Sequence, residues 1–460
     1  MDFIVCGMPR GGTTVFGQLF NAHEQVFCYF METGLFRYLD AFGRDRPFPS
    51  ENLQALEDWL REQLRGTLVE GTKDSRYAKF KRLQKFLKVL DQHGQADPYG
   101  PGMRFLDERS FEPFLQDVVD LFRRGLFGHE LFEQGLVVLE KHFRNVTERP
   151  MLGEKTPDNI FFLDRFHAAD PDLKIFCILR EPYSTLESMK RRAHHDDRFF
   201  DSAFSKEVLG GIADYYQYLR AAYDYSLRAR PGSFHVCRFE DLFEDNVSFM
   251  ESAYRVLGLE LTETAAQILP KLHIPTEKKR IKGFCLTEPE YILIQLALGE
   301  MLEHFGYQVE INKGTKLTSS ELTEGVIPLG GLHLEGDSGK GVSNTWMGKE
   351  ATLFLFFDKQ RSAIRLSMSC YFPAVLGLDK VTLRFSSSDV ELAVVEIDTA
   401  QNDFQFELPL DKFRHAVASP TIQGAPLTIS SSASFAPIAV PGLGLDIRDL
   451  SFLIRSCELV

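Results

Sequence analysis

The apolar positions of the first 311 residues follow two rhythms. Short unbroken runs, "DFIVCG" at the start, "LKIFCILR" (173–180) and "SFHVCRF" (233–239), predict strands buried on both faces. Between them apolar residues recur at helical spacing. Val15, Phe16, Leu19 and Phe20 follow the first run. Leu53, Leu56, Trp59, Leu60 and Leu64 form a second set, and Phe114, Leu115, Val118, Leu121 and Phe122 a third. Further helices are predicted near 204–228, 246–257 and 291–307, with Gly306 placed to end the last one. Buried strands separated by helices predict a parallel α/β sheet with helices on both faces. The helical stretches of 50–145 read as an insertion over that sheet, serving either acceptor recognition or plain packing.

Past residue 311 the rhythm changes. "NKGTKLTSSELTEG" (312–325) is polar and linker-like. Beyond it the pattern has a period of two: Ile364, Leu366, Met368 and Cys370, then Val381, Leu383 and Phe385, then Phe404, Phe406 and Leu408. Many short alternating strands predict an antiparallel β-sandwich over 326–460. The expected architecture is therefore an α/β domain over 1–311, a linker over 312–325 and an all-β sandwich over 326–460.

Charge and composition narrow the partners. A net charge of -13 argues against wholesale nucleic-acid binding, although a local basic pocket remains compatible with it. No apolar run approaches the ~20 residues that span a bilayer. No charged segment followed by an apolar one marks a secretory leader. The chain opens directly into a strand, so a cytoplasmic protein is expected. Of the seven cysteines, Cys6, Cys177 and Cys237 lie in predicted core strands, where reduced thiols are expected. No C-x-x-C pair and no H-x-x-x-H spacing suggests a metal.

The candidate chemistry begins at "GMPRGGTT", Gly7 to Thr14. Gly7, Gly12 and Thr14 fit the phosphate-binding pattern G-x-x-x-x-G-K-[ST], but Thr13 stands where the lysine belongs. A strand, a glycine loop and a helix N-terminus aim backbone N–H groups at an anion. Arg10 adds a permanent planar charge inside the loop, which suits an anion held without a metal. The second signal is "CILREPYSTLESM" (177–189). A strand ends in Arg180, Pro182 breaks the chain, and Ser188 follows in a helix. That puts an arginine at the carboxyl edge of a parallel sheet, where α/β proteins bind ligands. Two such loops imply two anion sites on one nucleotide.

These motifs resemble those of the sulfotransferases that use 3′-phosphoadenosine 5′-phosphosulfate (PAPS). "GMPRGGTT" is similar to the family's 5′-phosphosulfate loop, which carries Arg10, Gly11, Gly12, Thr13 and Thr14 here. Arg180 and Ser188 match its 3′-phosphate motif. "GEKTPDN" (153–159) resembles a segment of the glycan- and protein-sulfating branch, and "CRFEDLFEDNVSFMESAYRVLGL" (237–259) its late strand and helix. The resemblance covers about residues 1–311. It implies a P-loop-like fold, transfer of a sulfuryl group from PAPS to a hydroxyl or amine, and release of 3′,5′-ADP. A sulfuryl group carries less negative charge than a terminal phosphoryl group, so backbone donors and cations suffice without a metal.

By the same parallel Glu32 is the expected base, in a cleft whose phenylalanines predict a desolvated carboxylate. Lys155 would face the bridging oxygen, in an ordered turn, while Glu154 orients its neighbours. His194 or His195 is the alternative base. Arg280, in "KKRIK" (278–282), sits where relatives close a loop over the nucleotide; an exposed charge run fits equally well. The expected acceptor is a carbohydrate or glycolipid hydroxyl. The sandwich would bind glycan, support a homo-oligomer or serve only structure; Trp346 would stack on a sugar or fill the core. The alternatives are a P-loop kinase and a non-catalytic glycan-binding protein on a degenerate transferase fold.

Overall fold

The computed structural model describes residues 1–29, 32–68, 88–89, 108–196, 208–272, 288–307, 325–333, 343–358, 360–388, 390–413, 416–417, 422–435, 437 and 450–460. It divides into two compact units, Met1–Glu181 with Ala221–Lys279, and Pro182–Arg220 with Arg280–Val460. Among the described residues the helices are α1 (Thr13–Phe20), α2 (Leu35–Gly43), α3 (Leu53–Leu68), α4 (Glu108–Arg123), α5 (Gly128–Arg144), α6 (Leu163–Ala169), α7 (Pro182–Asp196), α8 (Val208–Ser226), α9 (Phe239–Glu244), α10 (Asn246–Val256), α11 (Glu263–Ile268) and α12 (Glu288–His304).

The first unit holds a five-stranded parallel sheet of β1 (Phe3–Gly7), β2 (Val26–Tyr29), β3 (Met151–Lys155), β4 (Lys174–Leu179) and β5 (Phe234–Arg238), in the order β2-β3-β1-β4-β5. Every residue of β1 is buried, as a central parallel strand requires. The chain leaves β1 toward β2 on one side and leaves β4 toward β5 on the other. The crevice between the carboxyl ends of β1 and β4 is therefore the topological switch point, where open α/β sheets bind ligands. Phe16 and Phe20 of α1 pack on Phe176 of β4 at 5.9 and 5.2 Å between ring centroids, and Phe20 lies 4.6 Å from Phe3. These apolar residues of the first predicted helix fix α1, and with it the glycine loop, on the sheet.

β3 is a strand that hydropathy alone does not reveal, because "MLGEK" mixes a glycine and two charges into five residues. Gly153 is there for packing. A Cβ on it would come within 2.1 Å of the Phe3 ring on the neighbouring strand. Lys155 thus ends a buried strand, opposite Val5 of β1, rather than sitting in a turn.

The helices of the predicted insertion pack on the element that begins the site. Trp59 of α3 meets Tyr38 and Phe42 of α2 edge-on at 5.1 and 5.2 Å. Phe132 of α5 packs against Phe36 of α2 at 5.4 Å. Glu57 of α3 joins Arg61 to Arg123 of α4 at 3.1 and 2.9 Å.

The second unit contains α7, α12, most of α8 and an antiparallel sheet of β6 (Gly325–His333), β7 (Ser343–Asp358), β8 (Ala363–Cys370), β9 (Lys380–Ser387), β10 (Val390–Asp398), β11 (Asp403–Pro409), β12 (Ala416–Val417), β13 (Ile422–Ser431) and β14 (Phe452–Leu459). The alternating residues recognised in the sequence fall on β8, β9 and β11, and those of β8 and β9 are buried. The two layers come from one continuous ladder. The first half of β7 pairs with β14, which leads to β8 and β11; its second half pairs with β13, which leads to β9 and β10. The layers fold onto each other, so that Phe385 of β9 meets Phe406 of β11 at 5.1 Å. Gly306 ends α12 at φ +77°, where its own N–H and that of Tyr307 bond to the carbonyls of Glu303 and Leu302.

Candidate active site

The carboxyl edge of the parallel sheet gathers the chemistry of the first unit. After β1 the chain turns sharply. Arg10 takes a left-handed φ of +67° and Gly12 one of +105°. Gly11 N–H bonds back to the Met8 carbonyl at 2.9 Å, closing the loop. Gly12 is the N-cap of α1 and supplies no side-chain cap, and the first turn of α1 carries no acidic residue. The first-turn N–H groups thus have no side-chain cap, and the helix dipole gives this end a partial positive charge. Thr13 is buried, while Arg10 stands exposed on the rim.

Arg180 follows β4 directly and reaches the same loop. Its guanidinium bonds to the Arg10 carbonyl at 3.4 Å and lies 5.0 Å from the centroid of the Phe239 ring. Phe239 opens α9, straight after β5, and also fills the space beside Gly12. A Cβ at Gly12 would come within 2.2 Å of that ring. Next to it, the Glu240 carboxylate accepts the Glu181 N–H at 2.9 Å, fixing the turn that follows Arg180. Phe239 and Glu240 therefore tie the Gly7–Thr14 loop to the turn after β4. Sequence reasoning had the "FEDL" segment in hand and gave these residues no role. The available signal was their place one step beyond a strand on the ligand-binding edge.

The third element is an ion pair at the ends of β3 and β2. Lys155 Nζ donates to Glu32 Oε1 at 2.6 Å. The lysine side chain is 1% exposed and the glutamate 45%, so the pair has a buried cationic half and an open anionic half. Glu32 itself holds a left-handed φ of +79°, a conformation that costs a non-glycine residue roughly 1–2 kcal/mol. Such strain persists where surrounding contacts over-determine it.

Desolvation falls on the neighbouring Glu154, not on Glu32. Glu154 is fully buried and accepts hydrogen bonds from Thr33 N–H at 3.1 Å, Thr33 Oγ1 at 2.9 Å, Asn159 Nδ2 at 2.6 Å and the Thr156 hydroxyl. Burial pushes its carboxyl up from the ordinary glutamate value, while those donors and the Lys155 ammonium oppose the rise. Glu154 locks the residue after Glu32 to the residue after Lys155, which sets the geometry of the ion pair. Its orienting part, expected from the sequence, is explained by these four bonds.

Ser188 is buried on α7, in the second unit. His194 and His195 lie near the end of the same helix, their side chains outside the described residues, as are Arg280 and its basic run. Among the described residues no group of three or more His, Cys, Asp or Glu forms a metal site, and no helix is long and apolar enough to cross a membrane.

The sequence profile of the sulfotransferase family matches residues 2–263, more than half of the chain. The chain belongs to the sulfotransferase family. Solved structures similar to it include a sulfotransferase from Mycobacterium avium, at 18% identity and a TM-score of 0.38, over 67% of this chain and 78% of that one. A sulfotransferase from Alicyclobacillus acidocaldarius aligns at 13% identity and a TM-score of 0.36, over 67% and 96%. Retinol dehydratase, solved with androsterone and the inactive cofactor PAP, aligns at 12% identity and a TM-score of 0.28, over 69% and 82%. No curated protein matches the chain. In this sulfotransferase the matched residues include the glycine loop, Glu32, Lys155, Arg180 and the Phe239–Glu240 pair.

Proposed function

We propose that this sulfotransferase moves a sulfuryl group from PAPS to a hydroxyl of a carbohydrate or glycolipid and releases 3′,5′-ADP. The observation that carries the reading is the buried Lys155 paired with the half-open Glu32, one strand over from a glycine loop whose helix start has no cap of its own. Arg10, Gly11, Gly12, Thr13 and Thr14 hold the 5′-phosphosulfate, and Arg180 holds the 3′-phosphate.

In the reaction the acceptor O–H gives its proton to Glu32 as its oxygen bonds to sulfur. The bond from sulfur to the bridging oxygen breaks, and that oxygen leaves on 3′,5′-ADP. Lys155, freed from Glu32 by the incoming anion, faces the bridging oxygen and stabilises the charge developing there. Glu32 then has an unoccupied lone pair toward the acceptor. The loop donors and Arg10 supply the remaining electrostatics, so no metal is needed.

Transfer of label from sulfur-labelled PAPS onto a panel of oligosaccharides and glycolipids, in chelator, tests this reading. Label should appear on at least one sugar acceptor. Transfer confined to phenols or amines would overturn the choice of acceptor, and label retained on the donor with every acceptor would overturn the reaction.

A further inference from the structure

Glu32 leads into α2, and Lys155 leads into the 3-10 helix Pro157–Phe162 and then α6. Beyond the Glu32–Lys155 pair, two more ion pairs cross between these segments. Arg37 Nη1 lies 3.6 Å from Asp158, and Arg165 Nε lies 3.1 Å from Asp40, which also accepts the Arg44 Nε–H at 3.0 Å. A seam of charges thus runs from Glu32 and Lys155 along α2, all within the first unit. In each pair the carboxylate is the more buried partner. The Asp40 side chain is 6% exposed, whereas that of Arg37 is 51% exposed.

Arg37 is held from two sides. Asp158 is on one; on the other, Nη2 donates to the Tyr38 hydroxyl at 2.9 Å, with the guanidinium 4.9 Å from the centroid of that buried ring. Asp158 comes three residues after Lys155, so their Cα atoms are at most about 11 Å apart. Phe161, three residues further on, projects from the same side of the 3-10 helix as Asp158 and is 43% exposed. An oriented guanidinium and an open aromatic ring therefore stand close to the half-open Glu32.

We infer that this seam binds the acceptor and selects a glycan that carries a carboxylate beside the hydroxyl to be sulfated, as uronic acids do. A guanidinium fork matches the planar carboxylate in shape and charge. With five N–H donors, Arg37 can take a second carboxylate while Asp158 holds it from behind. The Phe161 ring offers a flat apolar surface to the C–H face of a sugar. Neither the net charge of -13 nor the Glu32 carboxylate favours an anionic acceptor, so a local cation must offset both. Arg37 is placed to do that, and its prior fixing lowers the entropy lost on binding. Arg44, seven residues on, adds a second cation about 10 Å further along the helix axis, a spacing that suits charges repeated along a chain. The inference rests on the carbohydrate reading for the kind of acceptor and adds its charge.

Affinity electrophoresis of the full chain, in chelator and without donor, tests this. The gels contain polygalacturonate or alginate, or the same polymers with their carboxylates reduced to alcohols. Retardation is expected in at least one carboxylate polymer, and it should be weaker in the reduced form of that polymer. Arg37→Ala, at an exposed position where folding is least at risk, should weaken it about tenfold, and Arg37→Lys should recover part of the loss because the charge returns without the fork. Phe161→Ala should weaken retention by both forms. Arg255→Ala, the same change of charge on α10, should alter nothing. Free migration in every gel, equal retardation by a polymer and its reduced form, or equal losses from Arg37→Ala and Arg255→Ala would each overturn the inference. Calorimetry with 3′,5′-ADP on the same preparation separates the two readings. Nucleotide binding without retention rejects this site alone, whereas retention without nucleotide binding rejects the donor site and leaves this one standing.

Discussion

Replacing Gly12 with alanine challenges two features of the loop at once. The first is backbone strain. Gly12 holds φ +105°, a region L residues rarely adopt, and a left-handed alanine costs roughly 1–2 kcal/mol. The second is space. The new methyl would lie 2.2 Å from Phe239 Cδ2 and 2.3 Å from its Cε2, whereas carbons rest about 3.5–4.0 Å apart. The ring must retreat by more than an ångström, and it is buried, so overpacking adds roughly 1–3 kcal/mol. Together the substitution should destabilise the first unit by about 2–5 kcal/mol. Because the same ring lies against Arg180, the displacement should reach the proposed 3′-phosphate contact as well as the loop. Urea unfolding gives the stability change, and calorimetry with 3′,5′-ADP gives the binding change, expected to be about a hundredfold loss from the two contacts combined. In Gly12→Ala/Phe239→Ala the steric part should vanish while the backbone part stays, giving a coupling of roughly 1–3 kcal/mol between the two sites. Additive effects, or an alanine variant with parental stability and nucleotide affinity, would refute this account of the loop.

Three further predictions follow from the site. Glu32→Gln leaves the Lys155 ammonium without its ionic partner, so it should keep or raise affinity for 3′,5′-ADP, by no more than about fivefold given solvent screening of the half-exposed carboxylate, while turnover falls by about 10²–10⁴-fold; parallel losses of affinity and rate would mark a purely structural glutamate. Glu154 binds its proton more tightly folded than unfolded, so its contribution to stability is present below the ordinary glutamate value of 4.5 and is lost as pH rises from there through the raised folded value. The difference in unfolding free energy between parent and Glu154→Gln should therefore fall with pH across that window, and a difference that rises would contradict the burial argument. Burial also raises the thiols of Cys6 and Cys28 well above the ordinary cysteine range, so both should resist iodoacetamide at pH 8 in the native protein and react in denaturant; rapid native labelling of either would show an open sheet.

What was legible in the sequence follows the physics of each element. "FIVCG" and "KIFCIL" are flanked by strands on both sides, so apart from the half-buried Lys174 they carry no polar side chain and read at once as buried strands. "MLGEK" occupies an equally buried place, yet its glycine answers to a phenylalanine ring and its two charges to the site, so its pattern carries no strand signal. β5 was legible as a strand, but not as one buried on both faces: it lies at the edge of the sheet, and its residues are only half buried. At the site, the glycines and Arg180 stood out as chemistry next to predicted strands, whereas Lys155 and Glu32 stood out through the resemblance to the sulfotransferase family. The tie made by Phe239 and Glu240 did not, because it links residues almost sixty and more than two hundred positions apart, and only the strand order brings them to one crevice. The exposure of Glu32 was likewise out of reach, since burial of a loop residue depends on what packs over it.

The central claim is that the crevice between β1 and β4 holds a nucleotide with phosphates at both the 5′ and 3′ positions. Calorimetric titration of the full chain with 3′,5′-ADP and with 5′-AMP, both in chelator, tests it most directly. The account predicts that 3′,5′-ADP binds without metal and at least about tenfold more tightly than 5′-AMP, and that Arg180→Ala removes about 1.5–3 kcal/mol from the first while leaving the second nearly unchanged. Equal affinity for the two nucleotides, or equal losses for both on replacing Arg180, would contradict it.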